Sequence, residues 1–531
     1  MTLRIFNTLT RTKEVFVPRE AGKVGMYVCG PTVYDLSHLG HARSVLAFDV
    51  IYRYLCHLGY QVTFVRNITD IDDKIIVRAQ REGTTAAEVA RRFTGEFHRD
   101  MAALGLAVPT VEPCATQHLP AIIRLIERLL QQQFAYQAGG DVYFAVKRFA
   151  GYGRLSKRNL DELLAGARVE PGEQKADPLD FALWKAGKPG EPVWDSPWGP
   201  GRPGWHVECS AMSQAYLGAS FDIHGGGQDL VFPHHENEIA QSEAATGQPF
   251  VRYWIHNGFV NLEHEKMSKS LGNILTIRDL LSRIHPEAIR LFVLAHHYRR
   301  PIDYTAEQMA EAQKNLDYLY LTWQRLEEAG LATLPGTPPE PAAGPGGRGD
   351  VGAGRAAPLL PTPEAVHAPM PDGTAATEAG LLPRFREAMN EDFNTALALA
   401  HLFDAARALN KALDQQGRGG GDGSGPLATE AQAFVTTAGV LGLFQQSPAE
   451  YFRRRGTFVY AYEGTGGLST GGSAEIARGI DGAEVERLIA ERQAARQRRD
   501  WGTADRIRAD LLARGIVLED TPKGTVWKVK G

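Results

Sequence analysis

The chain has 531 residues, of which 43% are hydrophobic and 23% are charged, and these are ordinary proportions for a folded, water-soluble protein. Its formal net charge of −4 excludes a global basic field, so nucleic acid could be bound only through local patches. The length allows about two to four domains with real hydrophobic cores.

The cysteines also limit the class of protein. There are four, at Cys29, Cys56, Cys114 and Cys209, far apart and with no C-x-x-C pair. This spacing argues against a disulfide framework and against a zinc ribbon, and Cys56 and Cys114 fit ordinary core packing. The first residues lack the apolar core of a signal peptide, and no apolar run is long enough to span a membrane. We therefore expect a cytoplasmic protein.

The N-terminal elements predict one β-α-β unit. Residues 24–29 (VGMYVC) form a short apolar run ended by Gly30-Pro31, which is typical of a buried parallel strand. Apolar residues recur at helical spacing over 42–58, and Gln61–Arg66 predicts the next strand. Ligands of open parallel sheets bind beyond the carboxyl ends of the strands, near helix N-termini that favour phosphate.

A His/Gly turn, His38-Leu39-Gly40-His41, lies between the first strand and the helix. Alone, an H-x-G-H indicates no more than a helix-capping turn with surface histidines. A second segment, Lys266-Met267-Ser268-Lys269-Ser270, carries two lysines and two hydroxyls, and alone it would be a solvated loop. Together the two segments predict an adenylate-forming ATP site. The glycine patterns of dehydrogenases and P-loop ATPases are absent from the sequence.

The densest polar patch covers residues 225–238 (GGGQDLVFPHHENE). Its second half predicts the first turns of a helix, where His234 and Glu238 would lie four residues apart on one face and could share a cation. A solvated, acid-rich helix start is the alternative interpretation of the local pattern. Cys29 and Cys209 could complete a tetrahedral site, although sequence spacing does not identify them.

The C-terminal half predicts a helical bundle. An amphipathic helix at 306–329 carries the stripe Ala312, Leu316, Leu319, Trp323 and Leu326. Helical patterning returns over 382–413, with a break at Asp392-Phe393-Asn394, and again over 427–444.

Two further segments differ from this bundle. Residues 334–377 are dominated by Pro, Gly and Ala and have too few large apolar residues to fold, so we expect a disordered insertion there. Residues 480–531 predict a charged helix and a second helix at 504–512, followed by the short segments 516–518 and 526–528, with a mild excess of Lys and Arg over the whole segment.

Five segments in this order resemble the cysteinyl-tRNA synthetases, a family of class I aminoacyl-tRNA synthetases. They are residues 29–35 (CGPTVYD) with the H-x-G-H, 67–74 (NITDIDDK), 204–212 (GWHVECSAM), 224–238, and 265–272 (EKMSKSLG). The likeness is dense over 1–320 and weaker at 390–406 and 505–528. Leu39 stands where the family usually has Ile, and a side chain packed inward would make that change harmless.

The resemblance implies an α/β fold in which a Rossmann-type parallel-sheet catalytic domain precedes an α-helical bundle and a small C-terminal domain. The catalytic domain, with a connecting insertion and the zinc site, would span 1–305. The helical stem or bundle domain would span 306–463 and contain the disordered insertion 334–377. The anticodon-binding domain would span 480–531. We expect the protein to be a monomer.

The resemblance also implies the residues around the amino acid. One Zn²⁺ per subunit would be held by two cysteines, a histidine and a glutamate, which match Cys29, Cys209, His234 and Glu238. The amino-acid pocket would be lined by Thr69, Trp205, His224 and Asp229. Of these, Asp229 would meet the ammonium group of the substrate.

The remaining implied residues concern ATP. The catalytic residues would be His38, His41, Lys266 and Lys269. ATP would be bound by Gly40, His41, Ser268 and Lys269, with Mg²⁺ on the phosphates.

On this basis the chain would activate L-cysteine with ATP, giving cysteinyl-adenylate and pyrophosphate, and transfer cysteine to the 3′-terminal adenosine of tRNA(Cys). Cysteine and serine differ by one atom of similar shape, and a hydrophobic pocket separates such pairs by only ~1–3 kcal/mol. Zn²⁺ would bind the substrate thiolate, for which a hydroxyl is a poor substitute, so selectivity would need no editing domain.

Two alternatives accompany this hypothesis. A related ligase joins cysteine to an amino-sugar in mycothiol biosynthesis with the same zinc and ATP site, but it lacks the anticodon-binding tail that 480–531 supplies here. A catalytically inactive RNA-binding relative would be expected to lose His38, His41 or Lys269, and all three are present.

Overall fold

The computed structural model describes residues 2–158, 174–262, 265–266, 275–332, 380–416, 425–455, 482–498, 500–514, 516–521 and 524–529. The helices are α1 (Leu39–His57), α2 (Asp73–Glu82), α3 (Ala86–Ala103), α4 (Leu119–Gln131), α5 (Trp205–Leu217), α6 (Glu236–Thr246), α7 (Ile277–Leu281), α8 (Pro286–Leu294), α9 (Ala306–Glu328), α10 (Leu381–Asn390), α11 (Thr395–Gln416), α12 (Pro426–Val440), α13 (Pro448–Arg455), α14 (Gly482–Gln497) and α15 (Trp501–Ala513). The strands are β1 (Arg4–Asn7), β2 (Thr12–Val15), β3 (Lys23–Val28), β4 (Gln61–Arg66), β5 (Ala135–Ala138), β6 (Asp141–Phe144), β7 (Phe181–Ala186), β8 (Gly201–Pro203), β9 (Phe221–Gly227), β10 (Val251–Asn257), β11 (Val260–Leu262), β12 (Glu265–Lys266), β13 (Ile302–Tyr304), β14 (Ile516–Thr521) and β15 (Gly524–Val529).

The chain divides into two compact units. One comprises Met1–Arg278 and Pro286–Gln445, and the other comprises Asp279–His285 and Gln446–Gly531. The three domain boundaries expected from the sequence stay predictions, and the expected insertion at 334–377 lies outside the described residues. No described helix combines the length and apolar character needed to cross a bilayer.

A four-stranded parallel sheet lies at the centre of the first unit, with the strand order β10-β9-β3-β4. β3 and β4 are buried along most of their length, as is usual for strands of a parallel sheet. The chain leaves β3 through α1 to reach β4, and leaves β9 through α6 to reach β10. The connections that leave the neighbouring strands β3 and β9 therefore run towards opposite edges of the sheet. A ligand crevice forms at the carboxyl ends of such strands.

The β-α-β unit expected from the sequence is confirmed. Its helix begins at Leu39, three residues before the expected start, because the H-x-G-H turn itself caps the helix. β4 has the expected bounds, and β3 ends at Val28, so that Cys29 follows the strand directly.

Between β4 and β9 the chain inserts a second, antiparallel sheet with the order β5-β6-β7-β8. Phe144, Leu183 and Trp184 of this sheet pack with Ile122 and Leu129 of α4 in one buried cluster. The insertion ends directly before α5, which begins at Trp205.

Helices α9 to α12 are the C-terminal helices of the first unit. The expected stripe on α9 is buried along its whole length, at Ala312, Leu316, Leu319, Trp323 and Leu326. The expected break between α10 and α11 is also present. There Asp392 and Phe393 have φ of 61° and 51°, and the backbone is held by the buried Asp392 carboxylate, which accepts hydrogen bonds from Phe6 N, Tyr298 Oη and Arg299 Nε.

In the second unit, α14 and α15 are the two expected helices, and they precede an antiparallel β14–β15 hairpin that includes the segments 516–518 and 526–528. Their core contains the apolar side chains Ile489, Ile507, Leu511, Ile516 and Leu518.

Candidate active site

A cavity of about 400 Å³ opens at the carboxyl ends of the parallel strands. The chain that follows β3, β9 and β10 lines it, as the strand order leads one to expect. Cys29, His38, His41, Trp205 and Asp229, all expected site residues, contribute to the lining.

The H-x-G-H turn holds two imidazoles at this cavity. His38 is the N-cap of α1, and its Nδ1 accepts a hydrogen bond from Gly40 N at 3.1 Å, while His41 Nδ1 accepts one from His38 N at 3.1 Å. The ring centroids are 4.0 Å apart. Because each Nδ1 accepts a backbone N–H, a neutral ring carries its proton on Nε2 and donates from that atom. Leu39 is fully buried, as expected for an inward-packed residue.

The lysine-rich segment is described only at its two ends. Lys266 lies in β12, where it pairs with Asn261 of β11, and β11 begins at Val260 in the cavity lining. The chain is described again from Leu275, whose carbonyl accepts a hydrogen bond from Leu39 N at 3.0 Å. Residues 267–274, which include Ser268 and Lys269, lie outside the described residues, as does the side chain of Lys266. The described ends therefore border the cavity and the H-x-G-H turn.

A thiol-rich cluster lies beside the cavity. Cys29, Cys209, His234 and Glu238 offer ligand atoms that all lie within 4.8 Å of one another. Cys29 Sγ is 3.7 Å from Cys209 Sγ and 3.5 Å from Glu238 Oε1, and His234 Nε2 is 3.0 Å from the same oxygen. Two thiols, an imidazole and a carboxylate around one point are a donor set that Zn²⁺ accepts.

A second set of potential ligands overlaps the first. Cys29 and Glu238 also lie within 4.8 Å of His224 and His235. His224 Nε2 is 2.9 Å from Glu238 Oε2, and His235 Nε2 is 3.3 Å from Cys29 Sγ. Only the first set contains both cysteines, which are the softer ligands.

The electrostatics of the first set are complementary. Burial alone would raise the pKa of Glu238, but His224 and His234 outweigh it and lower this pKa to about 2. Burial would lower the pKa of His234, but Glu238 and Cys209 raise it to about 10. Burial raises the pKa of the Cys29 thiol. Burial would also raise the pKa of the Cys209 thiol, but hydrogen bonds with Cys29 and His234 lower it. The cluster thus already favours a carboxylate at Glu238 and a thiolate at Cys209, whereas His234 and Cys29 must each lose a proton before they can bind a metal.

The expected amino-acid pocket is only partly assembled at the cavity. Trp205 and Asp229 line it, and the Trp205 ring centroid is 4.3 Å from that of His234. Thr69 is buried, and its hydroxyl donates to Glu208 Oε2 at 3.1 Å. His224 is fully buried and stacks on Trp254, with ring centroids 4.5 Å apart. Their roles in the pocket stay predictions.

Several residues of the cluster were not expected from the sequence. His206 Nδ1 is 3.0 Å from His234 Nδ1, and His235 Nδ1 is 2.7 Å from His256 Nε2. His206 and His235 stand next to expected residues, which was a usable signal. His256 and the buried Tyr27 of β3 carry no local pattern that could have identified them.

Three family descriptions match the chain. They are "tRNA synthetases class I (C) catalytic domain" at residues 15–314, "DALR domain" at 384–445, and "Cysteinyl-tRNA ligase anticodon binding domain" at 482–527. The first alone covers more than half of the chain.

Individual proteins match it as well. Two curated proteins named "Cysteine--tRNA ligase", from Geobacter sulfurreducens and Geobacter metallireducens, are 52% and 51% identical over 530 and 531 residues, covering 100% of both chains in each case. A solved structure of Mycobacterium tuberculosis methionyl-tRNA synthetase bound by methionyl-adenylate is similar in fold, with a TM-score of 0.51, 17% identity, and coverage of 79% of this chain and 89% of that one. On this full-length identity and the three family matches, the chain belongs to the cysteinyl-tRNA synthetases of class I.

Proposed function

We propose that the protein is a cysteine–tRNA ligase, which activates L-cysteine with ATP and transfers it to the 3′-terminal adenosine of tRNA(Cys). The observation that carries this proposal is the meeting, in one cavity, of the His38–His41 turn with Cys29 of the thiol-rich cluster. The name shared by the full-length relatives supports the same activity.

In the activation step, an oxygen of the cysteine carboxylate attacks the α-phosphate of ATP as the bond to pyrophosphate breaks. Negative charge builds up on the phosphates, and donors held in fixed positions lower the barrier. His38 and His41 would donate from Nε2, while Lys266 and Lys269 would neutralise the β- and γ-phosphates of Mg²⁺-bound ATP. No covalent enzyme intermediate is needed, because positioning and electrostatics can supply the rate.

The amino acid would be oriented by residues of the cavity wall. Asp229 follows β9 and offers a carboxylate to the substrate ammonium, a charge-assisted contact. Trp205 would cover one side of the small side chain, and Thr69 and His224 would complete the pocket. The carboxylate of the bound cysteine would then lie on the side of His38 and His41.

We also propose that Cys29, Cys209, His234 and Glu238 hold one Zn²⁺. Bound there, the ion would lower the pKa of the substrate thiol and bind the thiolate, for which the hydroxyl of serine is a poor substitute. The protein already orients the carboxylate ligand, because His224 holds Glu238 Oε2 at 2.9 Å while Oε1 faces His234 and Cys29.

The second unit would provide contacts to tRNA. The anticodon-binding description at 482–527 supports a tRNA substrate and disfavours the amino-sugar ligase, which lacks such a tail. The presence of His38, His41 and Lys269 disfavours an inactive RNA-binding relative.

ATP–pyrophosphate exchange tests the proposal. We expect the purified protein to support exchange with cysteine, and exchange with serine to be at least about 1,000-fold slower because zinc adds to the ~1–3 kcal/mol that shape alone provides. Removal of zinc with a chelator should abolish exchange with cysteine, and re-addition should restore it. Charging of tRNA(Cys) should follow when the tRNA is added.

Each arm can fail separately. Exchange that survives complete zinc removal would refute the role of the metal. Equal exchange with serine would refute the account of selectivity. Exchange with cysteine and no transfer to tRNA(Cys), but transfer to an amino-sugar, would favour the alternative ligase.

A further inference from the structure

Tyr27 carries a buried hydroxyl that the proposed reaction leaves unused. Its side chain is fully buried, and within the described part of the chain its Oη has no hydrogen-bond partner of normal geometry. Native proteins almost always provide a partner for a buried hydroxyl, because leaving it unpaired is costly. The hydroxyl therefore indicates an acceptor that forms in another state of the site.

The position of Tyr27 identifies the surroundings of this hydroxyl. Tyr27 lies in β3 two residues before Cys29, and side chains at i and i+2 leave a strand on the same face of the sheet. Tyr27 also belongs to the buried cluster that contains Cys209. The centroids of the Tyr27 and His224 rings are 5.1 Å apart.

The side chains near this hydroxyl include two of the expected metal ligands. Cys209 belongs to the same buried cluster as Tyr27, and Cys29 packs against that cluster. A tyrosine hydroxyl has an unperturbed pKa of about 10, so it is protonated at neutral pH and can donate to these groups. A neutral thiol is a weak acceptor, whereas a thiolate accepts strongly.

We propose that Tyr27 is a positioning residue of the metal site, whose hydroxyl donates a hydrogen bond to the Cys209 thiolate when that sulfur binds the metal. Any proton that remains on the Cys209 sulfur leaves to solvent on metal binding, and the Tyr27 proton stays on its oxygen. The Tyr27 hydroxyl then gains an acceptor in normal hydrogen-bond geometry. This inference rests on the proposed zinc site and adds a residue to it.

The hydrogen bond would have two effects. It orients Cys209 Sγ towards the shared centre of the four ligands, as partners of metal ligands commonly do. It also withdraws electron density from the thiolate, so that the metal keeps more affinity for the sulfur of the substrate. Tyr27 touches neither substrate nor ATP in this scheme.

Tyr27→Phe tests the proposal, because it removes the hydroxyl and retains the ring. The matched control is Tyr253→Phe in the same sheet. The Tyr253 hydroxyl donates to Val15 O at 2.9 Å and accepts from Val17 N at 3.0 Å. Its side chain leaves the strand on the side opposite to Trp254. Zinc affinity would be measured on the full-length protein by competition with a chelator. The Co²⁺-substituted proteins would be compared through the sulfur-to-cobalt charge-transfer absorption.

We expect Tyr27→Phe to bind zinc at least about tenfold more weakly and to shift the charge-transfer band to lower energy, since the thiolate becomes a stronger electron donor. Tyr253→Phe should match the wild type in both measurements. Equal zinc affinity and identical spectra for Tyr27→Phe and wild type would overturn the proposal, as would an equal loss in Tyr253→Phe. If the wild type itself binds no zinc, the proposed metal site fails together with this role. If the wild type binds zinc and Tyr27→Phe binds it equally, only the role of Tyr27 fails.

Discussion

Glu238 shares its two carboxylate oxygens between two imidazoles. Oε1 is 3.0 Å from His234 Nε2, and Oε2 is 2.9 Å from His224 Nε2. With Oε2 occupied by His224, a metal held by the first set would receive one oxygen from Glu238, and His224 would be the partner that orients it. The two ligand sets share Glu238 and Cys29, so substitutions of residues that belong to only one set can distinguish them.

Cys209→Ser and His235→Asn separate the two sets. Cys209 belongs only to the first and His235 only to the second. We expect Cys209→Ser to lose at least about 100-fold in zinc affinity, because a hydroxyl replaces a thiolate ligand, and His235→Asn to lose about tenfold or less, as a partner of a ligand. Chelator competition measures both. The reverse order would assign the metal to Cys29, His224, His235 and Glu238.

Asp229→Asn tests the contact with the substrate ammonium. The substitution removes the negative charge and leaves an amide of similar size in the cavity lining. A lost charge-assisted hydrogen bond costs ~1.5–3 kcal/mol, so we expect the KM for cysteine in ATP–pyrophosphate exchange to rise about tenfold or more. The KM for ATP serves as the internal control and should change less than about twofold. An equal rise of the KM for cysteine and the KM for ATP would contradict a specific contact between Asp229 and the substrate ammonium.

Helix α1 connects the ATP side of the cavity to the rest of the first unit. Its N-terminus is capped by the H-x-G-H turn, and in its first turns the buried Arg43 donates to the carbonyls of Val293 and Tyr298. Nearly two turns further on, Asp49 accepts hydrogen bonds from Arg53 Nε at 2.8 Å and from the fully buried Arg290 of α8 at 2.5 Å. These buried charges hold α1 in place and with it the two imidazoles.

Asp49→Asn should therefore destabilise the first unit. The substitution leaves the Arg290 charge buried without its counter-charge, which costs ~3 kcal/mol or more. Urea denaturation followed by tryptophan fluorescence would measure the loss. Asp404→Asn is the matched control, since Asp404 pairs with Arg384 and Arg407 at the surface, and it should cost less than ~1 kcal/mol. Similar losses in both variants would contradict a special role of the buried pair.

The ion pair between Asp49 and Arg290 also predicts that the free energy of unfolding depends on pH. Burial opposes ionisation of Asp49, but Arg53 and Arg290 outweigh it and lower the pKa of Asp49 from 3.8 to about 2. Because this pKa is lower in the folded than in the unfolded protein, Asp49 stabilises the fold above pH 3.8 and ceases to do so as the pH falls towards 2. The difference in unfolding free energy between wild type and Asp49→Asn should stay constant from about pH 7 to about pH 5 and shrink below about pH 4. A difference that grows on acidification would refute the assignment.

At the scale of the whole molecule, the two units match different family descriptions. The catalytic description at 15–314 and the DALR description at 384–445 cover mainly the first unit, and the anticodon-binding description at 482–527 falls in the second. Activation needs ATP and an amino acid only, so it should depend on the first unit alone.

A chain that ends at Arg455 tests this separation. It keeps α13, whose Tyr451 packs against His285 with ring centroids 4.9 Å apart, and removes everything that follows. We expect ATP–pyrophosphate exchange within about twofold of the full chain. The kcat/KM for tRNA(Cys) should fall at least about 100-fold, since each ~1.4 kcal/mol of lost RNA contacts is a factor of ten. Undiminished charging would refute the anticodon-binding role of the second unit.

The sequence predicted local elements well because their signals are local. Alternation and apolar runs placed β4 with its observed bounds, and the helical stripe of α9 proved buried throughout. The predicted start of α1, at residue 42, lay three residues after the observed start at Leu39, because the reciprocal caps of His38 and His41 are not part of an apolar pattern.

The cluster around Glu238 shows what a sequence leaves open. His234 and Glu238 could be paired from helical spacing, and that pair is present. Helical spacing did not exclude His235, which is three residues before Glu238, and both imidazoles reach the cluster from the segment Val231–His235, whose backbone is kinked at Phe232. The pairing of Cys29 with Cys209 depends on how β3 and α5 pack, so only the resemblance to a family could suggest it.

The distance along the chain between the proposed ligands bears on how the protein is made. Cys29 and Glu238 are 209 positions apart, and Cys29 and Cys209 are 180 positions apart. At about 5–20 residues per second, a ribosome completes Glu238 roughly 10–40 seconds after Cys29. Until Cys209 is translated the Cys29 thiol has neither of these partners, while the strand before it can already fold with α1 and β4. Zinc loading at the proposed site would therefore be a late event of biosynthesis, and the nascent chain would have to keep one thiol reduced until the residues that complete the site have been translated.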